Sequence, residues 1–252
     1  MQELPDNPSW LLKRAVRAFD KGHYRLAGWF CWIELCLWHP NDYFALCWYA
    51  NSLYRMGRQN DHKAASLYEH AIRVNPAHPF AHAGLGIIHY SNARRIHQEY
   101  SMFPGGDWLM FADEKSPEDS ENEHRISILT SHADAEVGNR KIAIKELEEA
   151  AGLTSDKDGK VWLLNMAAEV HTIMDNEAGI KAYKKILDIA PDYVPAHFHL
   201  AGCYAATYYF DANLSGNRDL ALQEYKFVKE NAPEGASDLA AVLARFGIEI
   251  NE

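Results

Sequence analysis

The chain has 252 residues, of which 48% are hydrophobic, so it is long enough and apolar enough to bury a sizeable core. Its formal net charge of −10 disfavours a nucleic-acid partner, because proteins that bind nucleic acids present a basic face. The four cysteines (Cys31, Cys36, Cys47 and Cys203) show no C-x-x-C spacing, which indicates neither a disulfide framework nor a zinc site.

The apolar stretches of the chain indicate a cytoplasmic protein. Residues 1–9 contain no basic segment followed by an apolar run, which is the pattern typical of a signal peptide. The longest apolar stretch, residues 26–38, is interrupted by Glu34 and is shorter than the roughly 20 residues that cross a bilayer. We therefore expect a cytoplasmic location and no membrane span.

The first part of the chain predicts helices in pairs. The first pair covers residues 8–40, with Gly22 in the turn and Pro40 behind the second helix. Glycine permits the positive φ that ends a helix, and proline cannot continue one. The second pair covers residues 43–76, where small residues at helical spacing allow the helices to approach closely. A further first helix is predicted over residues 80–95.

An insert at residues 100–122 interrupts this pattern. The acidic stretch that follows its aromatic half, residues 113–123, holds six acidic residues and one lysine, a composition that suits solvent. The aromatic half of the insert is too apolar for a solvated linker, and we expect it to dock on the helices as a lid across a groove. The side chains of this predicted lid are Phe103, Trp108 and Phe111.

Two interpretations of the region around the insert stay open. In the first, the insert contains the degenerate second helix of a third repeat, residues 79–112. A fourth repeat, residues 124–153, then follows with its turn at residues 138–140. In the second interpretation, the insert splits a single repeat. We favour the first, because the segment from residue 79 to about residue 124 leaves room for a degenerate helix.

The remainder of the chain predicts two more pairs and a final helix. The pairs cover residues 160–191 and 194–233, and each ends on an Ala-Pro dipeptide. The final helix covers about residues 236–247, with Ser237 near its start and Gly247 behind it, as helix boundaries favour. Such a helix is suited to cap the end of a repeat array.

The helix pairs share a repeated pattern of small, aromatic and proline residues. Alanine or glycine falls in the middle of the helices, an aromatic residue closes the first helix, and Asn75-Pro76 or Ala190-Pro191 ends a unit. Corresponding residues recur about every 34 residues, which is the period of a helix–turn–helix solenoid. This pattern resembles the tetratricopeptide repeat (TPR) family over nearly the whole chain. The resemblance implies an all-α, right-handed solenoid, a single domain of five to six repeats with a C-terminal capping helix.

The resemblance also implies a binding surface and a function. In this family the first helices of the repeats line a concave groove, which suits an extended peptide or a partner helix. We therefore expect a non-enzymatic scaffold that binds another protein or peptide and needs no cofactor. In the alternative interpretation, several of the groove's aromatic side chains pack between repeats. The predicted groove residues are Phe44, Cys47, Asn51, Tyr54, Arg55, Phe80, Ile87, Tyr90, His132, His171 and Phe198.

The 13 histidines raise the alternative of a metal site or a histidine-based enzyme. A helix holds a metal with ligands three or four residues apart on one face. His78 and His82 have this spacing, but His78 precedes a proline and is biased away from helix. His82 and His89 lie roughly 10 Å apart along a helix, too far for one zinc ion. The Gly-Leu-Gly segment at residues 84–86 lacks the third glycine and the preceding strand of a dinucleotide fingerprint. We predict no metal site and no catalytic residue.

The second helix of the first repeat is apolar on all sides, whereas the terminal repeat of a solenoid needs a polar outer face. Ala27 and Cys31 face its own solenoid, and we expect the opposite face to bind a second copy or another protein. A membrane surface is disfavoured because the stretch lacks a basic face. The alternative is that the N-terminal segment, including Trp10, folds over this face. The predicted patch consists of Trp29, Trp32, Ile33 and Cys36.

Overall fold

The computed structural model describes residues 5, 7–101, 120–211, 214 and 216–250, with all side chains except those of residues 97–101, 120–133 and 174. Over this part of the chain the regular structure is helical and contains no strand. It divides into an N-terminal unit, Met1–Leu153, and a C-terminal unit, Thr154–Glu252. The helices of the N-terminal unit are α1 (Trp10–Asp20), α2 (Tyr24–Leu37), α3 (Tyr43–Arg55), α4 (Asp61–Val74), α5 (Pro79–Ser101) and α6 (Ser120–Leu153). Those of the C-terminal unit are α7 (Lys157–Met174), α8 (Asn176–Ile189), α9 (Val194–Phe210), α10 (Gly216–Asn231) and α11 (Pro233–Arg245).

Side chains before the helices fix where α1 and α3 begin. Oγ of Ser9 accepts a hydrogen bond from the N–H of Leu12 at 3.0 Å, and Oδ1 of Asp42 accepts one from the N–H of Ala45 at 2.7 Å. The first N–H groups of a helix have no partner within it, so each contact stabilises a helix start. Between α1 and α2, Gly22 adopts a φ of 78°, the conformation for which glycine was predicted there.

The N-terminal unit stacks three helix pairs in chain order. Each helix contacts the next, and the first helices also contact one another, α1 with α3 and α3 with α5. Leu12, Leu46 and Trp48 belong to the buried core of the unit. Gly84 on α5 faces Tyr68 on α4 so closely that a Cβ at residue 84 would lie 2.2 Å from Cζ of the tyrosine. Small residues therefore permit the close helix packing of a solenoid, as the sequence predicts.

α5 and α6 form one long helix pair, which corrects one of the predicted repeats. α6 is a single helix over Ser120–Leu153, and it packs against α5. The separate repeat at 124–153 is therefore wrong, as is the turn at 138–140. The degenerate second helix of the predicted repeat at 79–112 falls on residues outside the described part of the chain. The other interpretation, in which the insert splits a single repeat, agrees with the structure.

Side-chain contacts explain why α6 continues through the expected turn. Nδ2 of Asn139 donates to the carbonyl of Ala135 at 2.7 Å, one turn earlier. Oδ1 of Asn139 lies 2.7 Å from Nδ1 of His89 on α5, and Arg140 pairs with Glu136 across one turn. These contacts offset the roughly 1 kcal/mol by which a glycine weakens a helix interior.

The C-terminal unit consists of two helix pairs, α7 with α8 and α9 with α10, followed by α11. α11 contacts both α9 and α10, and its side chains Leu239 and Leu243 are completely buried. This helix covers the end of the unit, which confirms the predicted capping helix. The predicted lid residues (Phe103, Trp108 and Phe111) and the side chain of His132 lie outside the described residues.

Candidate protein-interaction site

The predicted groove residues on α3 divide between surface and core. Phe44, Asn51 and Tyr54 are half-buried, and Arg55 is exposed. Cys47 is completely buried within the core of the unit. Its place in the predicted groove is therefore wrong, because its side chain is not presented to a partner.

Two of these α3 side chains are tied to neighbouring helices. Oη of Tyr54 lies 2.9 Å from Oγ of Ser91 on α5, within hydrogen-bonding distance. Nη2 of Arg55 donates to Oη of Tyr24 at 2.9 Å, and the guanidinium lies over the Tyr24 ring at 5.2 Å. These contacts fix the orientations of both side chains while part of each stays accessible.

The predicted groove residues on α5 lie mostly inside the unit. Phe80 and Tyr90 are 8% and 9% exposed, so they too are core rather than groove residues. The ring of Phe80 packs edge-on against Trp48 with centroids 5.7 Å apart. The hydroxyl of Tyr90 accepts a hydrogen bond from Arg94 at 3.2 Å. Ile87 is half-buried and remains a candidate contact residue.

In the C-terminal unit, the predicted residues His171 and Phe198 are both half-buried. The ring of Phe198 lies edge-on to His199, with centroids 5.6 Å apart. Each residue lies on the first helix of its pair, α7 or α9, as predicted. Their participation in a binding surface stays a prediction.

The second predicted surface, on α2, is open to solvent. Trp29 and Trp32 are 53% and 48% exposed, Ile33 is half-buried, and Cys36 is exposed. Trp10 is itself 61% exposed, so its ring does not cover the patch in the way that the alternative interpretation expected. The opposite side of α2, including Ala27 and Cys31, is buried as predicted.

A buried histidine, which sequence reasoning assigned no role, joins three elements of the N-terminal unit. Nδ1 of His82 on α5 lies 2.6 Å from Oε2 of Glu146 on α6. Its Nε2 lies 3.0 Å from the carbonyl oxygen of Pro76, which ends the preceding repeat. Burial works against ionisation of Glu146, but hydrogen bonds from Lys145 and His82 outweigh it and lower the pKa of this carboxyl.

The C-terminal unit repeats this arrangement at His197. Nδ1 of His197 lies 2.5 Å from Oε2 of Glu224 on α10, and Nε2 lies 2.8 Å from the carbonyl oxygen of Pro191. The ring also stacks on Phe227, with centroids 3.7 Å apart. In both units the histidine follows the repeat-closing proline by six residues. That spacing was visible in the sequence, although the glutamate partner on the next helix was not.

The described part of the chain holds no group of three or more His, Cys, Asp or Glu side chains that could bind a metal ion. Burial raises the pKa of Cys203 to about 11 and that of Cys31 further, so both thiols stay protonated near neutral pH. None of the described helices combines the length and the apolar character that a membrane crossing requires.

Comparisons with known proteins agree on the architecture. No protein-family model matches the sequence, and no curated protein matches it. One crystal structure of MamA matches with 16% identity and a TM-score of 0.56, over 90% of this chain and 92% of MamA. A second MamA structure matches with 16% identity and a TM-score of 0.56, over 88% of this chain and 96% of MamA. TTC0263, a thermophilic TPR protein of Thermus thermophilus, has 18% identity and a TM-score of 0.48, over 94% of this chain and 97% of TTC0263.

The identities in these comparisons are too low to carry more than the fold. MamA is a TPR protein, and its structural match to this chain covers nearly the full length of both. The stacked helix pairs, the small residues between them and the capping helix lead to the same conclusion independently. The chain has the fold of the tetratricopeptide repeat proteins.

Proposed function

We propose that this chain is a non-enzymatic scaffold that binds a peptide or helix of another protein. The observation that carries the proposal is the row of partly accessible side chains on α3 and α5. Phe44, Asn51 and Tyr54 lie on α3, Ile87 lies on α5, and all four are half-buried. Apolar surface beside an amide that donates and accepts hydrogen bonds suits an extended peptide.

The polar groups of the interior support a scaffold rather than an enzyme. The side chains of His82 and Glu146 are 8% and 6% exposed, and both ring nitrogens of His82 lie within hydrogen-bonding distance of protein oxygens. His197 is held in the same way. A substrate would have to displace these contacts to reach either pair, so their role in the proposal is structural. All four cysteines are free thiols, which fits a reducing, cytoplasmic compartment.

The groove is tested by capture of partners with the full chain. Proteins retained by the wild type are compared with those retained by Asn51→Ala and by Tyr54→Phe, which removes the hydroxyl but keeps the ring. Asn176→Ala, at a half-buried asparagine of the C-terminal unit, is the matched control. We expect loss of the same partners in both groove variants, with unchanged melting for Asn51→Ala. Equal retention by Asn51→Ala and the control would contradict the groove assignment.

A second candidate function is self-association through α2. It is favoured by the exposure of Trp29 and Trp32, each close to half exposed on a helix at the end of the solenoid. Contiguous apolar patches of this kind on a monomer are usually interaction sites. The two candidates use different helices and are tested separately.

A further inference from the structure

The outward side of α2 is a continuous apolar face. At about 100° per residue, the exposed side chains of α2, together with half-buried Ile33, span an arc of roughly 140°, opposite the buried side of the helix. Arg25 is the charged residue on this arc, since the carboxylate of Glu34 is buried on the other side. We name this surface the tryptophan face, and it consists of Leu26, Trp29, Trp32, Ile33, Cys36 and Leu37.

The tryptophan face extends onto α1. Trp29 contacts Phe30, with ring centroids 5.4 Å apart, and the guanidinium of Arg14 lies 6.0 Å from Phe30 and 4.3 Å from Trp10. Trp10, Trp29 and Trp32 are 61%, 53% and 48% exposed. At up to about 250 Å² per tryptophan, these three leave about 400 Å² of mostly apolar area uncovered. That is within the range of functional patches and about half of what one partner buries in a stable interface. The leucines and Ile33 add to it.

The charges of α2 stand at the wrong ends for an isolated helix. Arg25 lies in the first turn, where the helix dipole is positive, and that turn contains no acidic residue. The last turn contains no basic residue, although its carbonyl oxygens carry partial negative charge. An external partner that fits this face should present a cation to the C-terminal end of α2 and negative charge to its N-terminal end.

A second copy of α2 in antiparallel orientation meets both requirements. We infer that the chain forms a two-fold symmetric dimer in which the tryptophan faces of two α2 helices pack antiparallel. Arg25 of each copy then lies against the C-terminal turn of the other, next to Leu37, where it meets the partial negative charge of the helix end. In this register Trp29 packs against Ile33 of the second copy, and Leu26 packs against Cys36. A parallel pairing would instead place the two Arg25 side chains together.

The inference develops the self-association candidate and is independent of the groove. A membrane would cover the same apolar area, but binding to anionic lipids needs several cations around the face. Arg25 is the charge that the arc itself supplies. An unrelated protein helix remains as an outcome of the experiment.

The first experiment measures the mass of the full chain in solution up to high micromolar concentration. The 28.6 kDa chain should sediment with twice that mass. Trp32→Glu should reduce the mass two-fold while leaving the helical circular dichroism unchanged. Trp162→Glu is the matched control, because Trp162 is also 48% exposed but lies on α7. Its mass should equal that of the wild type.

The second experiment tests the orientation by disulfide trapping with diamide. Cys36 is exposed, and the other three cysteines are buried. In the antiparallel register the two Cys36 residues are about ten residues, or roughly 15 Å, apart along the axis, beyond disulfide reach. The wild type should therefore not cross-link, whereas Leu26→Cys should give a covalent dimer through Cys36 of the second copy. Trp32→Glu added to Leu26→Cys should abolish that product.

Three results would overturn the inference. A wild type that is monomeric at every concentration removes the dimer, and another protein captured only through Trp32 would then be the occupant. A Trp32→Glu variant that stays dimeric moves the interface elsewhere. Cross-linking of the wild type, with none gained by Leu26→Cys, would make the pairing parallel. None of these results bears on partner capture through Asn51, so failure of the dimer and failure of the groove are distinguishable.

Discussion

Gly84 provides a direct test of the packing between α4 and α5. A Cβ at this position would lie 2.2 Å from Cζ and 2.4 Å from Cε1 of Tyr68, whereas carbon atoms in contact prefer about 3.5–4.0 Å. Tyr68 is 3% exposed, so its ring cannot move without displacing its neighbours. We expect Gly84→Ala to lower the free energy of unfolding by at least the roughly 1–3 kcal/mol of core overpacking. The melting temperature should fall by roughly 2–12 °C.

The matched control for this variant is Gly138→Ala in α6. Both glycines are helical, but beyond the adjacent backbone of α6 itself nothing lies within 4 Å of a Cβ built at residue 138. The control should raise the free energy of unfolding by roughly 0.5–1 kcal/mol, because alanine loses less backbone entropy in a helix. Denaturant unfolding followed by circular dichroism measures both changes. If Gly84→Ala proves as stable as the wild type or the control, the register of α4 on α5 described above is incorrect.

Three further predictions concern other contacts. The lowered pKa of Glu146 means that its contribution to stability is present above the ordinary value of 4.5 and is lost as pH falls through the lower value in the folded protein. Glu146→Gln should therefore reduce the loss of unfolding free energy at acidic pH. The same substitution at Glu149, an exposed residue of α6, should not. Tyr43→Phe removes the hydroxyl that accepts the N–H of Ala81 at 2.9 Å, and the free energy of unfolding should fall by about 1–3 kcal/mol in denaturant titrations; no change would mean that another acceptor replaces it. Leu239→Ala should cost about 2–5 kcal/mol by the same measurement, because the side chain is completely buried in the C-terminal unit; a cost below about 1 kcal/mol would contradict a packed capping helix.

The repeat architecture was predictable because its signals are local. Small residues at helical spacing and prolines behind helices act within a few residues, and Gly22 and Leu239 lie where such rules place them. The turn at residues 138–140 was mispredicted for a related reason. Gly138 and Asn139 are local turn signals, but Asn139 is occupied by contacts within α6 and with His89 on α5. A long-range contact therefore overrode the local preference.

The groove was less predictable than the fold. The family rule assigns Cys47, Phe80 and Tyr90 to a helix face but does not determine how deeply that face is buried. In this chain α3 contacts both α1 and α5 directly, and side chains at those positions fill the space between the helices, as Phe80 does against Trp48. The exposure of Trp29 and Trp32, in contrast, followed from the sequence. A helix of the terminal repeat has neighbouring repeats on one side only, so an apolar residue on its other side stays exposed whatever the details of packing.

The two buried histidines have a consequence for the way in which the repeats unfold. In a solenoid, stability is a sum of the stabilities of single repeats and of the interfaces between nearest neighbours, so repeats at the ends can open one at a time. His82 connects the carbonyl of Pro76, at the end of one repeat, to Glu146 in the second helix of the next. Opening the earlier repeat therefore breaks the contact between His82 and the carbonyl of Pro76. Opening the later repeat also separates His82 from Glu146 and exposes a carboxylate that had been bonded inside the protein. Each such histidine adds one contact across a boundary between repeats, which favours unfolding of the repeats on its two sides together.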